Sequence, residues 1–290
     1  MDLLQLDYAA LALAIVQVVC GVAVLILAKL ALGVLSPYAT DQEMTARDNP
    51  AFGLAIAGYF AGTVIVYLSA AGSAPLPLDD GVKAVFIAMS ANLGWALAGI
   101  VALNGSRWLM DRWLVPHIRN DREITEHRNL AAGALESGAY VASAALLAGA
   151  IRQPGGSIYT ALAIFLLGQF ALILLGRLYQ AWTGYDVAAE VRAGNFAAGI
   201  GFAMTLAALS LIMLKAIGGE FTSWTRSLSF FGFDAIIGLI LLLFLRWLTA
   251  ATLLPHARVA EEIVRDRNVN VSLIEGVIAV GIAGIILLLF

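Results

Sequence analysis

Apolar residues in this chain fall in long unbroken runs, and short charged stretches separate them. A helix needs about 20 apolar residues to cross roughly 30 Å of hydrocarbon. Eight runs reach that length, at about 9–35, 50–71, 84–106, 130–151, 157–180, 195–217, 228–249 and 270–290. Continuous runs of this length do not fit the strands of a membrane barrel, which are short and alternate in polarity. The pattern predicts an all-α polytopic membrane protein with eight transmembrane helices. The stretch before the first run carries Asp2 and Asp7 where a secretory signal needs positive charge, so that run is read as a retained span.

Composition strengthens this picture. Of 290 residues, 61% are hydrophobic and 13% charged, against about 25% charged in soluble domains. The formal charge of -3 offers nucleic acid no basic surface, so no such partner is expected. Cys20 is the single cysteine, and His117, His127 and His256 are scattered, so neither a metal site nor a cofactor is expected. Only Lys83, Arg152, Lys215 and Arg226 lie beside the even-numbered connections and their flanks; the other 13 of the 17 basic residues lie beside the odd-numbered ones. The positive-inside rule then places the odd connections in the cytoplasm and both termini in the periplasm of a bacterial inner membrane.

The chain repeats itself. Segments 107–136 and 246–275 align without a gap: Arg107-Trp108-Leu109 on Arg246-Trp247-Leu248, Pro116-His117 on Pro255-His256, Arg128-Asn129 on Arg267-Asn268, and Glu136 on Glu275. A looser likeness joins Asn49-Pro50-Ala51-Phe52-Gly53, Asn129-Leu130-Ala131-Ala132-Gly133 and Asn195-Phe196-Ala197-Ala198-Gly199. The prediction is four parallel helix-loop-helix repeats in two pseudo-symmetric halves, 1–152 (hairpins about 1–75 and 79–152) and 153–290 (hairpins about 153–218 and 226–290). Asn49, Asn129, Asn195 and Asn268 stand where a polar connection becomes an apolar helix, the place for a side-chain oxygen to cap exposed N–H groups. Pro50 after Asn49 suits the first helical position.

These stretches, with Arg47-Asp48 before Asn49 and Arg192-Ala193-Gly194 before Asn195, make the chain resemble the YjfL-like family of bacterial inner-membrane proteins of unknown function. That resemblance implies tandem hairpins, and a loose association with envelope stress and peripheral phage-shock-like proteins. It brings no biochemical activity with it.

Ionisable groups inside spans are costly and mark candidate sites. Glu136 and Glu275 occupy equivalent places in the two halves, and if both face a common axis they could share a proton or hold a cation. Pairing with an arginine such as Arg128 or Arg267, or exposure to water, is the competing reading. Asp234 and Asn92 are further candidates for an ion or proton path, though Asp234 also fits an interfacial position. His117 and His256 follow a proline corner at the membrane surface. A pH sensor fits there, and a solvated helix-ending corner fits better. Gly58 and Gly62 form a small-residue motif that suits close helix contact within or between chains.

No nucleotide-binding loop, zinc-protease motif or nucleophile elbow occurs, so the chain is not read as an enzyme. The expected function is a proton-coupled or small-cation channel or transporter using the two glutamates. The alternative is a scaffold recruiting a peripheral cytoplasmic protein through the charged connections 107–129 and 250–269. The bilayer, such a protein and a homo-oligomer are the partners the sequence admits.

Overall fold

The computed structural model describes residues 8–36, 38–73, 76–77, 80–116, 118, 120–253 and 258–289, with backbone alone at 8–10 and 249–253. All regular structure among them is helical. Eight helices are long and apolar enough to cross a membrane: α1 (Tyr8–Leu35), α2 (Pro50–Ala71), α3 (Val82–Trp113), α5 (Leu130–Ile151), α6 (Ile158–Trp182), α8 (Phe196–Ile217), α9 (Trp224–Leu253) and α11 (Val269–Leu289). Between the two helices of each hairpin lies a short turn of helix: a π-helical turn at Gln42–Ala46, then α4 (Asn120–Thr125), α7 (Val187–Arg192) and α10 (Val259–Val264). The chain is therefore a multi-pass membrane protein of four like hairpins.

Two of the helices outrun the spans predicted from hydropathy. The third run was expected to end near residue 106, yet α3 continues to Trp113, and α9 likewise continues to Leu253. Arg107 consequently sits inside a helix rather than in a connection, as Arg246 does in α9. Hydropathy drops there because of single charges, and those charges are neutralised in the fold.

The second helices of the hairpins, α2, α5, α8 and α11, stand side by side in that order as an inner row. The first helices form an outer row staggered against it: α3 packs on both α2 and α5, α6 on α5 and α8, and α9 on α8 and α11. Only α1 lacks a second inner helix, touching α2 and the flank of α3. Lipid gives helices no hydrophobic reason to associate, so the inner row relies on close backbone approach at small residues. Gly58 abuts the Ser137 backbone, Gly133 the Ala51 carbonyl, Gly199 the Ala131 carbonyl and Gly276 the Met204 side chain. A Cβ at Gly138 would lie 2.6 Å from the Ala203 Cα. The Gly58/Gly62 motif is thus used within the chain, between α2 and α5. Exposed Val101, Leu174 and Ile240 on the outer row face what the membrane supplies.

Each inner helix begins in the same way. A residue in the left-handed region, where side chains are rarely found, turns the chain: Asp48 (φ 45°), Arg128 (φ 52°), Gly194 (φ 71°) and Arg267 (φ 49°). The asparagine that follows then accepts from the first helical N–H groups. Asn49 Oδ1 takes Ala51 N–H at 3.1 Å and Phe52 N–H at 3.3 Å; Asn129 and Asn268 do the same in their helices, and Asn195 takes the one N–H of Ala198. The amide nitrogen reaches the other way. It donates at 2.8–2.9 Å to a glutamate on the preceding short helix: Glu43, Glu123, Glu190 or Glu262. In three hairpins it also donates to a backbone carbonyl of the next hairpin: Asn49 to Ile124 at 2.8 Å, Asn129 to Val191 at 2.7 Å and Asn195 to Ile263 at 2.8 Å. One carboxamide caps a helix, fixes the turn before it and stitches two hairpins together.

Asn129→Ala removes both sets of bonds and leaves Glu123 and the Val191 carbonyl short of a donor. The expected loss is about 2 kcal/mol, read as a lower unfolding midpoint in micelles. Asn129→Asp keeps the cap acceptor but loses the donor and faces Glu123 with a like charge, so it is expected to be no better than alanine.

Candidate functional site

The chemistry inside the membrane centres on two equivalent arginine–glutamate pairs. In the first half Arg107, near the end of α3, brings its Nε 3.2 Å from Glu136 Oε1 on α5. In the second half Arg246 on α9 brings its Nε 2.8 Å from Glu275 Oε1 on α11. Each glutamate sits two turns past its capping asparagine, at the level where the outer helix of the same hairpin crosses it. The pairs join the two helices of the second and fourth hairpins. The competing reading of the sequence, pairing with an arginine such as Arg128 or Arg267, has the right residue type, but the partner is another arginine in each half. Arg128 instead donates to the carbonyls of Arg47 and Asp48, back onto the first hairpin.

The structure does not bring Glu136 and Glu275 to a common axis. Helix α8 stands between α5 and α11, and each carboxylate turns to its own arginine. Their surroundings then diverge. Around the first pair lie Tyr38 and Tyr140. Asp111 lies one helical turn beyond Arg107, with Oδ2 3.9 Å from the Arg107 Nε, and Asn120 Nδ2 donates to Asp111 Oδ1 at 2.6 Å. Glu136 is the more deeply enclosed partner, its side chain 5% exposed. Its Oε2 has no hydrogen-bond donor among the described residues, and neither has the Tyr140 hydroxyl a partner. Around the second pair, Arg246 Nη1 donates to Thr205 Oγ1 at 3.2 Å and the guanidinium lies 4.9 Å from the Tyr179 ring centre. Here the arginine is the sealed partner, and Glu275 lines a cavity of about 190 Å³ with Tyr179, Trp182, Tyr185 and Ile263.

A family comparison covers nearly the whole chain. The model of the family described as Domain of Unknown Function (DUF350) matches twice in tandem, over residues 5–151 and 155–289. The chain belongs to the DUF350 family. No curated protein and no solved structure matches it. Each DUF350 repeat contains one arginine–glutamate pair that joins two of its long helices, and two capping asparagines, so the duplication of the family domain is also the duplication of the site. The finer YjfL-like grouping is not shown by this match.

The remaining candidates fall elsewhere. Asp234 on α9 lies 3.6 Å from Lys215 Nζ on α8. The two line a cavity of about 520 Å³ with Gln153, Glu220 and Arg226, at the end of the bundle away from the short helices. Asn92 is half-buried on α3 and makes no side-chain hydrogen bond among the described residues. It does not join Asp234, whose helix packs on α8 and α11. His117 and His256 lie outside the described residues. No cluster of metal-ligating side chains occurs among the described residues.

Sequence reasoning did not single out Arg107, Asp111 or Arg246 as site residues, and it missed two further groups. The capping glutamates Glu43, Glu123, Glu190 and Glu262 precede their asparagines by six, six, five and six residues. That recurring interval was readable. Tyr38 and Tyr185 hold equivalent places in the odd connections and reach over the pairs of the following hairpin. Burial pushes both phenols above the usual tyrosine range, so they carry no charge at neutral pH.

Replacing Arg107 by leucine leaves the enclosed Glu136 without its counter-charge, at an expected cost of about 3–5 kcal/mol. The double replacement Arg107→Leu/Glu136→Leu removes the enclosed pair, leaves only the more exposed Asp111 with its Asn120 donor, and is expected to recover most of that loss. Unfolding midpoints of the single and double variants in mixed micelles check both.

Proposed function

We propose that this DUF350 protein moves protons or a small monovalent cation across a bacterial inner membrane, and that Asp111, Arg107 and Glu136 form the site that binds them. The observation that carries this reading is the arithmetic of charge in the first half. One guanidinium stands between two carboxylates, 3.2 Å from one and 3.9 Å from the other. Among the described residues one negative charge is left over, in a place where uncompensated charge is expensive. A proton or a cation completes the balance, and Glu136 Oε2, enclosed and without a donor, is an acceptor in the right place. Asp111 is the more exposed of the two acids, at 28% against 5%. It provides the approach from the side of the short helices, which the excess of basic residues assigns to the cytoplasm.

In the second half the position aligned with Asp111 is Ala250, so no second acid stands one turn beyond Arg246 as Asp111 does beyond Arg107. On this reading Glu275 clamps its hairpin and the two halves have diverged into one loading site and one structural site. The scaffold alternative draws on the exposed charges of the short helices. These are matched by their own neighbours, Arg258 to Glu261 and Arg265 to Asp266, each at 2.8 Å, and so transport is placed first.

Purified protein in proteoliposomes carrying a pH-reporting dye tests the proposal. Wild-type protein is expected to dissipate an imposed gradient of protons, Na⁺ or K⁺ faster than protein-free vesicles. Glu136→Gln and Asp111→Asn are expected to return the rate to that of empty vesicles, while Glu275→Gln keeps flux and lowers the unfolding midpoint. Full flux in Glu136→Gln sinks the assigned site, and no flux of any of the three ions with folded wild-type protein sinks the transport reading.

A further inference from the structure

The inner row is built from one interface used three times, and it has two unfinished ends. In each of the three joints an asparagine of one hairpin donates to a carbonyl on the short helix of the next. In two of them a glycine of the next hairpin also receives the backbone of the last: Gly133 meets Ala51 and Gly199 meets Ala131. The outer helix of each later hairpin packs against the inner helix before it. All these contacts run in one direction along the chain, from a hairpin to its successor.

At the end of the row Asn268 caps α11 and binds Glu262, as its counterparts do, but has no carbonyl partner among the described residues. Val277 on the same helix is 61% exposed, although the aligned Gly138 in α5 is packed on Ala203. At the start of the row the complementary groups stand open. Ile124, Val191 and Ile263, whose carbonyls receive the asparagines, are 1%, 0% and 3% exposed, whereas Met44, the residue at their position in the first hairpin, is 39% exposed. Gly53 aligns with Gly133 and Gly199, yet a Cβ built on it would find nothing within 4 Å. Helix α1 lacks the preceding inner helix that α3, α6 and α9 each have. Between α1 and α2 runs an apolar groove of about 420 Å³, lined among others by Val18, Val22, Val64 and Leu68.

From these observations we infer that α11 of one copy seats against α1 and α2 of a second copy of this chain, continuing the internal joint head to tail. The occupant is set by the joint itself, because each open group at one end is matched by the group it bonds elsewhere in the same chain. Asn268 then donates to the Met44 carbonyl of the next copy, and the backbone at Asn270 fills the space over its Gly53. Such an interface joins unlike surfaces and so does not stop at two; it closes into a ring or runs on. Because the hairpins are parallel, the growth stays in the plane of the membrane. The inference uses neither the arginine–glutamate pairs nor the transport reading, and stands or falls apart from them.

Site-directed cross-linking in the native membrane tests it. On a Cys20→Ser background, Gly53→Cys and Asn270→Cys are made singly and together, and treated with a short bis-maleimide. The double variant is expected to give a ladder of dimer, trimer and larger species, and each single variant is expected to remain monomeric. Equal cross-linking by a single variant would mean like surfaces meeting, and overturns the head-to-tail joint; so does a double variant that stays monomeric. As a second measure, Gly53→Leu points into open space in the monomer and is expected to keep the wild-type unfolding midpoint. It should also abolish every species above the monomer in native mass measurements from nanodiscs. Wild-type protein that is monomeric there, or a Gly53→Leu protein that assembles as before, is the contrary result.

Discussion

A helix that enters a membrane must begin somewhere, and its first N–H groups have no carbonyls to bind. In hydrocarbon such groups cannot be left to water. The asparagine carboxamide answers this at every inner helix, and the rest of the fold is arranged around that answer. Because its oxygen is used on the helix it starts, its nitrogen is free to point backwards and sideways. Backwards it holds a glutamate, which fixes the short helix; sideways it holds the neighbouring hairpin. The buried state of Asn49, Asn129 and Asn195 follows from these duties. A buried amide with unused donors or acceptors would be costly, and here both are spent.

With hairpin starts tied together at one end, the inner helices run alongside one another closely enough for backbone contact. Small residues are then required along their whole length, which is why α5 and α8 are so rich in alanine and glycine. The outer helices have no such requirement and present large apolar side chains. The split into two kinds of helix is therefore a consequence of how the row is tied. The arginine–glutamate pairs occupy the level just above the ties, where an outer helix crosses the inner helix of its own hairpin.

The number of spans, the four hairpins and the capping positions were legible in the sequence, because long apolar runs and repeated short motifs are local signals. The capping role of Asn49, Asn129, Asn195 and Asn268 needed only the residue type at a polar-to-apolar boundary. What Glu136 binds was harder to see. Arg107 is 29 residues before it, in what hydropathy draws as a connection, and the interval is visible only when Arg246 and Glu275 are seen to share it. A charge lowers the hydropathy of a helix whether or not it is neutralised, and so a paired arginine looks like the end of a span. Tyr38 and Tyr185 were beyond reach for a different reason: they act on the following hairpin, and no local pattern records which hairpin packs next to which.

The stagger of the two rows also has a bearing on time. Each outer helix from α3 onwards rests on an inner helix that precedes it in the chain, and Asn49, Asn129 and Asn195 each reach for the hairpin that follows. A chain delivered to the membrane from its amino end thus meets, at each step, a surface already completed by the step before. No hairpin has to wait for a distant segment, and none has to be displaced to admit a later one. The order of synthesis and the order of contacts are the same order, so the protein can be laid down like courses of brick.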